Sequence, residues 1–470
     1  MKRTLLSIII FCFLLSFKSK AEFELQELIP GFNYKTWFKE KTKCNPDTNW
    51  FGAWTITPNK NDIYFGFATA RPAEYDGAIL ARLSANGLDS LGLINDQGVH
   101  GVQMVRDTLY IIGSDPTGKD GWDAGNFYKF IPPNNFIKIR YDSLKKPVLR
   151  NVIHSWGLFV DTLSETIYCS TGSYDPVRYS KNNNQCGNEN DTTLACFGEI
   201  WKSEDKGSTW EIIAGKKPYD FCTNRVYDVM KFNGILYANI ANYSTYSMKM
   251  STNEGQTWFV IPDVVGASLY RMMIFKDKLL LVAFTGASIF TFDNVGTVKS
   301  LYTPSRFNYS FNVFANAEDR YLFTYFTDGS VYVTTDLVNW TNIIPATGKN
   351  FVSIAYRDFD KSLILSERGS KANLWKIDVS TLINAGVTTF NNDEDINFSV
   401  NGDELIIKNN IKSNSVNCTI SNVLGQTAGT YSIDNLNNRF SIDISELTSG
   451  VYILNCRCGF KNYTFKFVKN

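Results

Sequence analysis

The sequence predicts an all-β fold whose larger part is a seven-bladed β-propeller, and three observations carry that expectation. An apolar strand, a tight polar turn and a second strand rich in Tyr and aliphatic residues recur seven times between Asn49 and Phe390. The octet Ser203-Glu204-Asp205-Lys206-Gly207-Ser208-Thr209-Trp210 returns as Ser251-Thr252-Asn253-Glu254-Gly255-Gln256-Thr257-Trp258. A form one residue shorter and lacking the Gly closes the set at Thr334-Thr335-Asp336-Leu337-Val338-Asn339-Trp340. Finally, the chain holds 24 Tyr and 34 Phe, side chains that pack well on a half-buried pleat.

The inner hairpins justify the count in order. They are Trp50–Trp54 with Ile63–Phe67, His100–Met104 with Leu109–Ile112, and His154–Leu158 with Ile167–Cys169. Val226–Met230 with Leu236–Ala238 and Tyr270–Ile274 with Leu279–Val282 come next. Phe311–Phe314 with Tyr321–Phe323 and Phe351–Ala355 with Ser362–Leu365 end the series. Six or eight blades follow instead if one hairpin has been split or merged. No blade can bury both its faces alone, so the array must close. A strand drawn from Phe32 to Phe38 is expected to seal the ring against blade one or seven. In the outer hairpins, Asn86-Gly87 is a strong turn signal for blade one. The three Trp-ending turns take the same place in blades three, four and six.

The repeated octet resembles the Asp-box, S/T-x-D/N-x-G-x-T-W, of sialidase-like and other β-propellers. Its physics is that of a tight turn. Ser and Asp or Asn bond back to turn amides, Gly takes a conformation other residues resist, and Trp buries a large surface. The resemblance implies that the box lies at the outer hairpin, away from the ligand face. The opposite end carries the elaborate loops Ala70–Gly77, Ser114–Gly125 and Ser173–Phe197, and is the expected functional face.

The ends of the chain speak of export. Lys2-Arg3, an apolar run from Leu5 to Phe17 and Ser19-Lys20-Ala21 before Glu22 read as a signal peptide over residues 1–21. No later run is long and apolar enough to span a bilayer. After a polar hinge at Asn391–Asp395 come Thr419–Gln426, Ile442–Leu454 and Phe465–Lys469. In order and spacing these resemble the type A sorting domain of the Bacteroidetes type IX secretion system. That resemblance implies a small β-sandwich over 391–470 which engages the secretion machinery, after a propeller over 22–390. The product would be secreted or held at the outer-membrane surface after passage through the periplasm.

Lys and Arg number 47 against 46 Asp and Glu, a balance that points away from a nucleic-acid partner. Eight of the 9 Cys follow the signal segment, so disulfides are expected, with Cys186–Cys196 and Cys418 with Cys456 or Cys458 as candidate pairs. With 2 His and no paired C-x-x-C spacing, neither a metal nor a cofactor is expected.

Aligning the inner strands on their partner Tyr or Leu puts His100, His154, Tyr227 and Tyr270 at equivalent positions near the channel entrance, with Arg225 and Arg271 beside the last two. β-Elimination of a uronic-acid polysaccharide needs such a set: a base, an acid for the leaving oxygen and a cation for the carboxylate. Some propeller-fold polysaccharide lyases use one. The plainer alternative is that these side chains only plug the channel. A glycosidase would need two converging carboxylates, available from Glu74, Asp76, Asp115, Asp120, Asp123, Asp175 and Asp228. Glu74, Asp76, Trp122, Asp123, Tyr174 and Arg178 are the expected substrate-binding residues on that face. Sialidase chemistry is disfavoured, because no Phe/Tyr-Arg-Ile-Pro signature occurs. The expectation is an exported propeller acting on extracellular polysaccharide as a lyase or glycosidase, with a non-catalytic glycan- or protein-binding propeller as the alternative.

Overall fold

A computed structural model gives an all-β chain in two compact units, 1–380 and 381–470. It describes residues 23–469 except 48, 70–76, 118–119, 175–195, 217–222, 243–244, 265–268, 284–287, 293–297, 308–311, 386–395, 402, 410–414, 423–425, 435–438, 449 and 459–460. The signal-peptide reading, the Cys186–Cys196 pair and the 391–395 hinge therefore lie outside the described residues.

In the first unit the described strands form consecutive four-stranded antiparallel meanders, here sheets I to VII. Their inner strands are Gly52–Asn59, Asp96–Val105, Val152–Val160, Arg225–Phe232, Leu269–Phe275, Phe314–Ala317 and Phe351–Arg357. Sheets II and III meet through one extra pair, His154 with Ser114. Sheets I to VI put their first-to-second and third-to-fourth turns at one end and their second-to-third loop at the other.

The Trp-ending turns join third to fourth strands in sheets III, IV and VI, as their spacing predicts. Ser203 Oγ accepts from Gly207 N at 2.8 Å and donates to Asp205, which accepts from Thr209 N at 2.8 Å. Ser251, Asn253, Gly255 and Thr257 repeat that pattern. In the shortened version Leu337 occupies the left-handed position, φ 67°, and its N–H bonds to Thr334 Oγ1. A Cβ on Gly207 would lie 2.2 Å from the Phe127 ring of the preceding sheet, so close packing as well as φ +86° requires glycine there.

Consecutive sheets share apolar cores. Trp54, Tyr64 and Leu80 of sheet I cluster with Val99, Ile111 and Tyr128 of sheet II. Tyr110 and Phe127 pack with Val152, Ile167 and Trp201, and similar clusters join III to IV, IV to V and V to VI. Sheet VII packs on sheet I through Phe51, Phe65, Ile364 and Leu374. Each such buried side chain contributes roughly 1.5–3 kcal/mol. Buried hydroxyls reinforce that seam, with Ser353 Oγ donating to Ala53 O at 2.7 Å and Ala53 N to Ser366 Oγ at 2.9 Å.

The strand that completes sheet VII is Gln26–Glu27, paired with Trp375 and Lys376. This corrects the assignment to Phe32–Phe38, most of which is the start of helix Tyr34–Thr42. Asn33 caps that helix through Thr36 N, and Tyr34 and Phe38 are buried against Phe67 and Phe51.

The second unit has a three-stranded and a four-stranded sheet sharing one core of Leu405, Ile407, Val416, Ile420, Leu454 and Phe467. Cys418 and Cys456 face each other across adjacent strands and form a disulfide. Among the described residues no helix is long and apolar enough to cross a membrane.

Candidate site at the mouth of the inner strands

All the inner strands except that of sheet VI carry bulges, which re-aim side chains. Pairing skips Trp54, His100, Trp156, Tyr227 and Val352, and in sheet V the gap spans Tyr270 and Arg271. His154 pairs opposite Gly172, directly after a first irregularity at Ile153 and two residues before the bulge at Trp156. His154 is therefore not the repeat equivalent of His100, as the sequence alignment had it; Trp156 is. An aromatic ring at this position in sheets I to IV, Trp54, His100, Trp156 and Tyr227, is legible in the sequence as a pattern.

The bulged rings touch in series. His100 meets Trp54 at 5.3 Å and Trp156 at 4.7 Å, both edge-on, and Trp156 meets Tyr227 at 5.4 Å. Toward the loop end His154 lies 5.0 Å from Trp156, while the Arg225 guanidinium sits 5.4 Å over the same indole and 3.4 Å from the Tyr227 hydroxyl. Asp115 Oδ1 comes within 2.9 Å of His154 Nδ1, but the ring N–H is not aligned on it, so the pair meets by distance alone. Trp156 is 8% exposed, yet its Nε1–H has no acceptor among the described residues. A Cβ on Gly172 would approach His154, Trp156 Nε1 and Arg225 at 3.3 to 3.6 Å, so the three converge there.

Below this level the groups are buried. His100 is 5% exposed and its Nε2 lies 2.7 Å from Ser114 Oγ. Burial, then the charges of Arg271 and His154, hold its imidazole well below the usual histidine range. His100 is thus an enclosed side chain, which corrects its expected position as a base at the entrance. Arg271, 8% exposed, donates to Trp156 O at 2.8 Å and His100 O at 3.0 Å and faces Asp228 at 3.8 Å. It ties sheets II, III, IV and V together and is buried along the axial cavity, a second correction. Asp228 accepts from Val229 N and Met272 N, and burial pushes its carboxyl up to about 6 against the opposing charge of Arg271. These residues line an axial cavity of about 170 Å³ together with Thr55, Gln103 and Asn312.

The remaining candidates separate. Trp122 is 49% exposed and contacts Tyr174 edge-on at 6.3 Å. Asp123 accepts from Arg140 and Tyr141, which hold its carboxyl below the usual range although burial opposes this. Asp120 is engaged by Lys138 and Asn126. Among the described carboxylates Asp120 faces Lys138, Asp123 faces Arg140, Asp115 faces His154 and Asp228 faces Arg271. Tyr270 belongs to the strand Leu269–Phe275, but its side chain, with Glu74, Asp76, Asp175 and Arg178, lies outside the described residues.

No curated protein matches the chain. Among solved structures it is similar to virginiamycin B lyase from Staphylococcus aureus, at 12% identity and TM-score 0.48 over 76% of this chain and 99% of that one. It is also similar to YCF48 from Cyanidioschyzon merolae, at 10% and 0.45 over 71% and 97%. The Neurospora crassa Pan2 WD40 domain stands at 10% and 0.44 over 70% and 89%. Likenesses this distant speak to neither substrate nor mechanism. Residues 401–470 match the secretion system C-terminal sorting domain, and the protein is accordingly one exported by type IX secretion to the cell surface or the medium.

Proposed function

We propose that sheets I to VII are the blades of a seven-bladed propeller joined to a C-terminal sandwich, and that the mouth of its inner strands binds extracellular acidic polysaccharide. The indole N–H of Trp156, which has no acceptor among the described residues and is set between Arg225 and His154, carries this reading. A buried donor left without a partner costs about 1–3 kcal/mol. A ligand carboxylate or hydroxyl oxygen would answer it and also meet the guanidinium. Export puts that site outside the cell, where acidic glycans offer such oxygens in series.

Titrating the full chain with polygalacturonate, alginate and neutral glucan is expected to give saturable binding to the acidic polymers only. Arg225→Gln should weaken it about tenfold or more, the loss of one hydrogen bond to a charged group, and flatten its salt dependence. Equal binding of the neutral glucan would remove the acidic-ligand reading. The His154–Asp115 contact favours a second reading, in which His154 takes the proton α to a uronate carboxylate, Arg225 neutralises that carboxylate and Tyr227 protonates the leaving oxygen. Ultraviolet-absorbing unsaturated products in the same titrations would support elimination; intact polymer would leave binding alone.

A further inference from the structure

Outward from the mouth, a tongue at Asp120–Ala124 is fastened along its length. Arg140, itself 8% exposed, donates to Gly121 O and Ala124 O at 2.6 Å, to Asp123 Oδ1 at 2.7 Å and to Asn126 Oδ1 at 3.1 Å. Lys138 and Asn126 hold Asp120, and Asn151 N donates to Asp123 O at 2.8 Å. Ala124 and Gly125 pair with Arg150 and Leu149. So much anchoring on so short a segment leaves the Trp122 ring half in water, against Tyr174, with the 44% exposed Tyr141 ring tied to Asp123 through its hydroxyl at 3.0 Å.

A large ring held rigidly half-exposed has its ordering cost already met, which favours ligand contact. Rings edged by a hydroxyl, a carboxylate and a guanidinium suit a sugar, which has apolar C–H faces and a polar rim, better than an apolar protein surface. The location links this patch to the mouth. Tyr174 lies two residues beyond Gly172, the partner of His154, a step of about 7 Å along the strand. Its N–H bonds to Asn151 O, the residue that also holds the tongue.

We infer that Trp122, Tyr174 and Tyr141 form a second subsite for the polysaccharide, so that the protein grips a run of sugar units and gains affinity with chain length. The inference rests on the acidic-polysaccharide reading of the mouth. Binding adds no bond-making step: the chain lies across the two subsites, stacked at the outer one and hydrogen-bonded at the inner one. Arg140 acts as a positioning residue, fixing the tongue without touching the sugar.

The test is calorimetric titration of the full-length protein with a galacturonate disaccharide and a long oligogalacturonate. Trp122→Ala is expected to lower the ratio of long- to short-chain affinity about three- to tenfold, the range of one aromatic contact. Arg140→Lys, which loses the planar fork, should lower the ratio in the same direction and speed amide exchange in the tongue. Arg225→Gln should weaken both oligomers alike. An unchanged ratio in Trp122→Ala beside weakened binding in Arg225→Gln overturns the outer subsite and leaves the mouth standing. Failure of the wild-type protein to bind either oligomer overturns both. Saturable binding of a co-secreted protein that is lost in Trp122→Ala, with the sugar ratio unchanged, would assign the patch to a protein partner and overturn the sugar assignment.

Discussion

Replacing Arg271 by Met is expected to destabilise the first unit by about 3–5 kcal/mol, because it strands a buried charge. The guanidinium leaves its own sheet to bond carbonyls of two others, Trp156 O and His100 O, and faces Asp228 at 3.8 Å in the axial cavity. Without it both carbonyls lose their donor and the Asp228 carboxylate loses its counter-charge. Denaturant unfolding followed by near-ultraviolet circular dichroism checks this, since the rings around His100 report the axis directly. Asp228→Asn in the same background should recover part of the loss, because removing both partners of a buried pair costs less than removing one. A variant of wild-type stability with weakened ligand binding would return Arg271 to the site.

Asp96→Asn is expected to act in the opposite direction, raising stability by about 3–4 kcal/mol near pH 8 and leaving it unchanged near pH 4. The Asp96 carboxyl is fully buried at the start of its inner strand. Oδ2 accepts from the Tyr128 hydroxyl at 2.6 Å and from Asn126 at 3.2 Å, while Oδ1 has no partner among the described residues. Burial pushes its pKa up to about 7, against the hydrogen bonds of Tyr128 and Asn126 and the charge of Lys138. The folded protein thus holds this proton more tightly than the unfolded chain, whose Asp titrates near 4. Between those values the unfolded state binds fewer protons, so stability falls as pH rises through the window and stays low above it. Asn keeps the acceptor for Tyr128 and carries no charge to bury. Thermal melts of both proteins across that pH range should converge at the acid end and separate at the alkaline end; parallel curves would contradict the assignment.

Much of the architecture was legible because turn chemistry is local. Ser203, Asp205 and Gly207 are chosen for bonds made within the turn, so the octet marks a third-to-fourth-strand connection without help from the rest of the chain. Asn86-Gly87 works the same way, with Gly87 at φ +107°. What failed was information held between segments. Gln26–Glu27 is too short to show alternation, and only pairing with Trp375 and Lys376 makes it a strand. The bulges arise from pairing as well, and missing the one at Trp156 put His154 two residues out of register. Residue type alone did not tell Arg225, over an indole at the mouth, from Arg271, buried across the axis. Nor did it show that His100 would be enclosed between Trp54 and Trp156.

The mouth is the centre of the account, and the indole N–H of Trp156 is its most exacting point. Trp156→Phe keeps an aromatic ring between His154, Arg225 and Tyr227 and removes only the donor and part of the ring. Calorimetric titration of wild type and variant with polygalacturonate, beside their thermal melts, isolates that donor. The expected result is affinity lowered about tenfold or more with a melting temperature no lower than wild type, since the buried donor removed has no acceptor among the described residues. Unchanged affinity, or a loss of affinity that merely follows a loss of stability, would contradict the proposed site.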